Sequence, residues 1–204
     1  ASNLLPPDWP ADAEPNNTAG TALVLPATGT VSGNIHYYGA GLGVDQEDWY
    51  VLDVPKGAAL QLTIHKRGTG NAWIYLRDGE NAALPELTNV YTQYWESPPE
   101  GLQLNYPVLA GRYYVQVANG GGIVNYQITS ALTLPAWPED PEPNDDQASA
   151  KPFAMNDSVS GLVGYYKVNS GVDPADWYVL TVPERGLLRF DLTKIGFNNA
   201  NVRL

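Results

Sequence analysis

Between Leu60 and His65 the chain alternates, with Leu60, Leu62 and Ile64 apolar and Gln61, Thr63 and His65 polar. A period of two is the pattern of a strand with one buried face. The rhythm returns at Leu188, Phe190 and Leu192, set against Arg189, Asp191 and Thr193. Further strands are predicted over 22–25, 30–35, 49–54, 72–77, 90–95, 102–106, 112–118 and 123–129. Glycine and proline punctuate the gaps, as in Pro55-Lys56-Gly57, Arg67-Gly68-Thr69-Gly70 and Gly120-Gly121-Gly122. No stretch keeps a helical period. Short strands at this spacing predict an all-β protein, an antiparallel β-sandwich of roughly eight or nine strands.

A repeat then sets the organisation. Shifted by 128 residues, the chain aligns with itself without a gap from Trp9/Trp137 to Leu76/Leu204. Val31-Ser32-Gly33 meets Val159-Ser160-Gly161, and Tyr37-Tyr38 meets Tyr165-Tyr166. Asp45-Gln46-Glu47-Asp48-Trp49-Tyr50 meets Asp173-Pro174-Ala175-Asp176-Trp177-Tyr178. The expectation is a tandem repeat, with a complete sandwich over 1–131 and the first part of a second over 132–204. Thr133-Leu134-Pro135-Ala136-Trp137-Pro138 joins them and is too short and proline-rich for a floppy tether. The second copy lacks counterparts of the last strands, so its apolar strand face would meet water. Either the chain is a fragment of a longer repeat protein, or another copy of itself supplies strands head to tail.

Composition narrows the partners. The 204 residues carry a formal charge of -11, which argues against nucleic acid and anionic membrane surfaces. Without cysteine, neither disulfides nor thiolate metal sites hold the fold. No apolar run approaches the roughly 20 residues of a membrane span. Ala1-Ser2-Asn3 reads as a mature end left after a signal peptide is cleaved, pointing to a secreted or cell-surface protein.

The acidic segments supply candidate chemistry. In Asp12-Ala13-Glu14-Pro15-Asn16 the oxygen-bearing side chains alternate, and Pro15 biases Glu14 toward extended backbone. Extended chain puts Asp12, Glu14 and Asn16 on one face. Asp45 and Asp48 lie three apart in the turn before a strand. Calcium takes six to eight oxygens at about 2.3–2.6 Å from carboxylates, amides and carbonyls, and this set suits it. With His36 and His65 the only histidines, zinc and copper have little to bind. Acidic residues beside proline also decorate ordinary solvated loops. The second copy tips the balance: Asp140, Glu142, Asn144, Asp173 and Asp176 are all retained, while Leu23-Val24-Leu25 has become Lys151-Pro152-Phe153.

Three motifs in order resemble the bacterial pre-peptidase C-terminal domain. They are Glu14-Pro15-Asn16-Asn17, Asp45 to Tyr50, and Ala110-Gly111-Arg112-Tyr113-Tyr114-Val115. That family includes the collagen-binding domains of clostridial collagenases, and the resemblance implies a jelly-roll-like β-sandwich on a secreted protein. It also implies paired calcium ions, held in the first copy by Asp12, Glu14, Asn16, Asn17, Asp45 and Asp48. In the second copy the implied ligands are Asp140, Glu142, Asn144, Asp145, Asp173 and Asp176. Asn17 stands where the family usually has an acid, which weakens one ion of the first copy.

Catalysis finds no support. There is no Gly-x-Ser-x-Gly elbow, and neither histidine is duplicated, His36 aligning with Gly164 and His65 with Thr193. The expectation is a protein that is not an enzyme. Trp73, Tyr75, Tyr91, Tyr94 and Trp95 are read either as a platform for a sugar or collagen-like chain or, preferably, as cross-strand packing. Two functions stay open. One is a calcium-stabilised structural or adhesive module of a cell-surface or filament-forming protein. The other is an accessory domain that holds collagen or polysaccharide, an extracellular polymer, for a secreted hydrolase.

Overall fold

The computed structural model describes residues 13–39, 43–78, 86–91, 101–135, 140–168, 171–194 and 200–204, with 86–91 described by backbone alone. The chain divides into two compact units. The first is Ala1–Ala136 with Tyr165–Val172; the second is Trp137–Gly164 with Asp173–Leu204.

In the first unit the strands are β1 (Leu23–Val24), β2 (Thr28–Ile35), β3 (Tyr38–Gly39), β4 (Gly43–Val44) and β5 (Glu47–Val54). Next come β6 (Ala58–Arg67), β7 (Asn71–Asp78), β8 (Glu86–Tyr91), β9 (Leu102–Val108), β10 (Gly111–Gly121) and β11 (Val124–Thr133). β12 (Lys151–Phe153) belongs to the second unit, whereas β13 (Tyr166–Lys167) and β14 (Gly171–Val172) belong to the first. β15 (Tyr178–Leu180) returns to the second unit.

The predicted all-β sandwich is what forms. One sheet runs β1-β5-β10-β7-β8, the other β14-β13-β9-β6-β11-β2. The long strands pair antiparallel, while β1 runs parallel to β5 and β13 parallel to β9. Alternation dictates the core. Leu60, Leu62 and Ile64 of β6 are buried together with Ile74 and Leu76 of β7, and with Tyr113, Val115 and Val117 of β10. Each such side chain contributes about 1.5–3 kcal/mol by leaving water. Tyr50 of β5 and Tyr126 of β11 lie in the same cluster, with their rings edge to face.

Most predicted strands form within a few residues of expectation. The one placed at 90–95 is met by β8, which ends at Tyr91; residues 92–95 fall outside the described residues. In the second unit β12 pairs with β15, and residues 188–192, predicted as a strand, adopt none. A strand needs neighbours for its backbone groups. In the first unit β6 has β9 and β11 on its two sides, and among the described residues nothing pairs with 188–192. Leu192, on the face the alternation assigned to a core, is exposed.

Candidate metal centre

The N-terminal acidic segment is stitched to the start of β5 by backbone bonds. Trp49 N–H donates to the Asn16 carbonyl at 2.7 Å, and Leu25 N–H to that of Val51 at 2.8 Å. β1 lies parallel to β5 with Leu23 opposite Tyr50. Locally, Glu14 Oε2 accepts the N–H of Asn16 at 2.9 Å and the side-chain amide of Asn17 at 3.0 Å. The loop before β5 is fixed from its other side, since His36 N–H donates to the Asp45 carbonyl and Asp45 N–H to that of Tyr37.

These bonds bring oxygens of Glu14, Asp45 and Asp48 within 4.8 Å of one another. Asp48 is fully buried. Its Oδ2 accepts the hydroxyl of Tyr126, which lies 2.8 Å from the hydroxyl of Tyr50, and Tyr50 donates on to the Ser32 carbonyl. Gly33 leaves the space for this arrangement: a Cβ there would lie 2.2 Å from the Tyr126 hydroxyl and 2.7 Å from Asp48 Oδ2. Tyr126 was not singled out from the sequence. It stands 78 residues from Asp48, and no local spacing points to it. Asn16 is buried, and Asp12 lies outside the described residues. Asn17 spends an amide bond on Glu14.

The same contacts recur 128 residues further on. Trp177 N–H donates to the Asn144 carbonyl at 2.7 Å, Asn144 N–H to Glu142 Oε2 at 3.0 Å, and the Tyr178 hydroxyl to the Ser160 carbonyl at 3.2 Å. β12 matches β15 in the register that β1 keeps with β5, Lys151 opposite Tyr178. Gly161 repeats the role of Gly33, for a Cβ there would lie 1.8 Å from Asp176 Oδ2. At His36, which is partly buried against Asn119, the backbone has φ 69°, and Gly164 has φ 85°. A backbone requirement links the two, which is why the imidazole itself is not repeated.

Two acidic triads form in the second unit. Asp140, Asp173 and Asp176 make one; Glu142, Asp145 and Asp173 make the other. Asp173 is common to both and is 1 % exposed. Neither of its oxygens meets a hydrogen-bond donor, nor does Asp176 Oδ1 or Asn144 Oδ1. Asn144 instead turns its amide to Asp140 Oδ1, whose partner oxygen accepts Leu162 N–H. Burial, then the Asp145 carboxyl and the charges of Asp176, Glu142 and Asp140, push Asp173 up to about 7. Burial, then the charges of Asp140 and Glu142, push Asp176 up to about 6. An oxygen-only donor set centred on the buried Asp173 suits a hard cation of calcium's kind and offers a softer metal nothing.

Residues 46–119, from β5 to β10, match the family of the bacterial pre-peptidase C-terminal domain. Of the acidic residues above, that span contains Asp48 alone. No curated protein sequence matches the chain. Among solved structures, the pre-peptidase C-terminal domain of a collagenase from Bacillus anthracis is 18% identical with a TM-score of 0.39, covering 58% of this chain and 99% of that one. PliG of Aeromonas hydrophila, a periplasmic inhibitor of g-type lysozyme, is 12% identical with a TM-score of 0.37, over 55% of this chain and 96% of that one. The Yersinia pseudotuberculosis-derived mitogen is 15% identical with a TM-score of 0.36, over 58% and 94%. Over residues 46–119, then, the chain is similar to bacterial pre-peptidase C-terminal domains.

Proposed function

We propose that this chain is a non-catalytic, calcium-stabilised β-sandwich module of a secreted or cell-surface bacterial protein. One observation carries the reading: Asp173 sits buried between two acidic triads with no donor on either oxygen. Carboxylates this close repel one another, and a divalent cation turns that repulsion into cohesion. The cation would tie the N-terminal acidic segment to the loop before β5 or β15, and so fasten the entry to each unit. The similarity of residues 46–119 to a family of accessory domains supports a supporting rather than a catalytic role. Titration calorimetry on chelator-treated protein tests the proposal. Calcium is expected to bind and to raise the melting temperature; no heat and an unmoved transition would sink it.

A second reading rests on the outer side of the five-stranded sheet. There Trp73 stacks on Tyr75, with ring centroids 6.2 Å apart, and the Arg77 guanidinium lies 4.7 Å above Tyr75. Rings held by neighbours in this way suit a polymer-binding face. Cosedimentation with insoluble collagen and with polysaccharide tests this reading, and a Trp73→Ala variant that binds as well as the parent would contradict it.

A further inference from the structure

The turn between β9 and β10 is built as a receptor for a short extended segment, and Tyr166 and Val168 fill it. Tyr166 lies opposite Val108 in a parallel bridge, and its carbonyl accepts Leu109 N–H at 2.7 Å and the Tyr113 hydroxyl at 2.9 Å. Tyr166 and Val168 pack against the sandwich core. Gly111 makes the gap: a Cβ there would lie 2.3 Å from Val168 Cγ2. A backbone donor, a core tyrosine hydroxyl and a glycine-made space all converge on one segment.

The same pairing occurs 128 residues earlier, and among the described residues it joins no larger sheet. β3 pairs with β4 as Tyr38 opposite Val44 and Gly39 opposite Gly43; β13 pairs with β14 as Tyr166 opposite Val172 and Lys167 opposite Gly171. β13 and β14 extend the six-stranded sheet, whereas β3 and β4 form a two-stranded sheet of their own. Tyr38 is 85% exposed. A tyrosine left in water on a hairpin whose counterpart is seated marks an interaction surface.

We propose that the paired strands β3 and β4 dock, through Tyr38, onto the β9–β10 turn of another sandwich of this same kind. The partner is defined by its chemistry: the end of a strand, a free backbone N–H, a glycine two residues further on and a tyrosine hydroxyl, as in Val108-Leu109-Ala110-Gly111-Arg112-Tyr113. In this chain that turn is already filled by Tyr166, so the partner is a sandwich whose turn is open. Docking of this sort strings sandwiches head to tail by β-augmentation. It needs no metal, so its test is independent of the calcium reading.

The test extends the intact chain by one sandwich, residues 1–136 followed directly by residues 9–204, which repeats the Ala136–Trp137 junction as Ala136–Trp9. Hydroxyl-radical footprinting then reads Tyr38 twice: in the N-terminal tryptic peptide, where it has no open turn before it, and in the junction-spanning peptide, where it has one. The second Tyr38 is expected to oxidise at least threefold more slowly, and Gly111→Val in the added sandwich should erase the difference. Equal rates in a protein that melts cooperatively would overturn the proposal. A variant of the 204-residue chain gives an answer that does not depend on the added copy. Lys167→Gly, Val168→Ala, Asn169→Gly and Ser170→Leu together write the Tyr37–Val44 sequence into the seated hairpin. The Leu109 amide should remain protected from hydrogen exchange, at least tenfold above a Tyr166→Gly, Val168→Asp control. Protection no better than that control would also overturn the proposal.

Discussion

The hydroxyl of Tyr126 donates to Asp48 inside the first unit, joining β11 of one sheet to the start of β5 in the other. Both groups are buried, and Tyr50 extends the chain of hydroxyls. The core therefore does more than fill space, for it aims a carboxylate oxygen at the cluster with Glu14 and Asp45.

Tyr126→Phe keeps the ring and removes that donor. Losing one partner of a buried hydrogen bond costs about 1–3 kcal/mol, more when the survivor is charged. The first unit is expected to lose stability on this scale in urea, with calcium affinity at Glu14, Asp45 and Asp48 falling as well. The cluster of Asp140, Asp173 and Asp176 should be untouched. Unchanged unfolding would show that the hydroxyl does not support Asp48.

How much of this was legible beforehand differs by element. Alternation marked β6, β7 and β10, because each is long enough to show its period. β3 and β13 have two residues each, which no periodicity can reveal. The acidic set could be read from chain-local spacing, and Glu14, Asp45 and Asp48 do come together. Tyr126 could not, since its link to Asp48 exists only once β11 is laid across the sandwich. Leu188, Phe190 and Leu192 carry a strand's pattern without strand partners among the described residues, and pairing decides against pattern there. Retention of Gly33 and Gly161 was visible, while the reason, side chains including a carboxylate standing where each Cβ would be, was not.

Asp173→Asn is the sharpest test of the metal reading, since this residue is shared by both triads of the second unit. Calcium bound there should fall away while the first cluster still titrates. If the parent is stabilised by about 2.7 kcal/mol at a calcium concentration near 100 times Kd, that part of the stabilisation should vanish in the variant. Calorimetry and thermal melts in parallel would show it, and full retention of the calcium response would remove Asp173 from the ligand set.

Chelated protein should lose stability as pH rises from about 4 to about 7. Asp173 and Asp176 are pushed up to about 7 and about 6 in the folded chain, from 3.8 when free. The folded state therefore holds more protons than the unfolded one across this window, and stability must fall as they leave. Their contribution is fully present below the unfolded value and gone above the folded ones. Asp53 and Asp146 are lowered, so their opposite effect falls below this window. Under the proposed calcium reading the cation takes the ionised form, so adding it should flatten or reverse the slope. A melting temperature in chelator that climbs from pH 4 to 7 would contradict the arrangement.

Arg112→Ala should be nearly silent. Its guanidinium pairs with Asp53 at 2.7 and 3.0 Å, but both side chains are more than half exposed, and water screens such a pair until it contributes almost nothing. A loss well beyond that in urea would mean the pair does more than solvent screening allows.

Gly161→Ala and Gly33→Ala should fail in different ways. At Gly161 the added methyl would lie 1.8 Å from Asp176 Oδ2 and 2.9 Å from the Tyr178 hydroxyl. The described strands of the second unit, β12 and β15, have three residues each and hold its side chains weakly, so the easiest relief is to swing Asp176 aside. That takes a carboxylate out of the triad with Asp140 and Asp173. Calcium affinity at this cluster is expected to drop at least tenfold with little change in the melting of chelated protein. At Gly33 the methyl would strike Tyr126 and Asp48, both packed in the core, and neither can move without disturbing Tyr50. Overpacking of that kind costs about 1–3 kcal/mol, so here the chelated protein itself should melt earlier. Urea melts in chelator separate the two outcomes. If both variants melt and bind calcium like the parent, the glycines are not there to make room for the carboxylates.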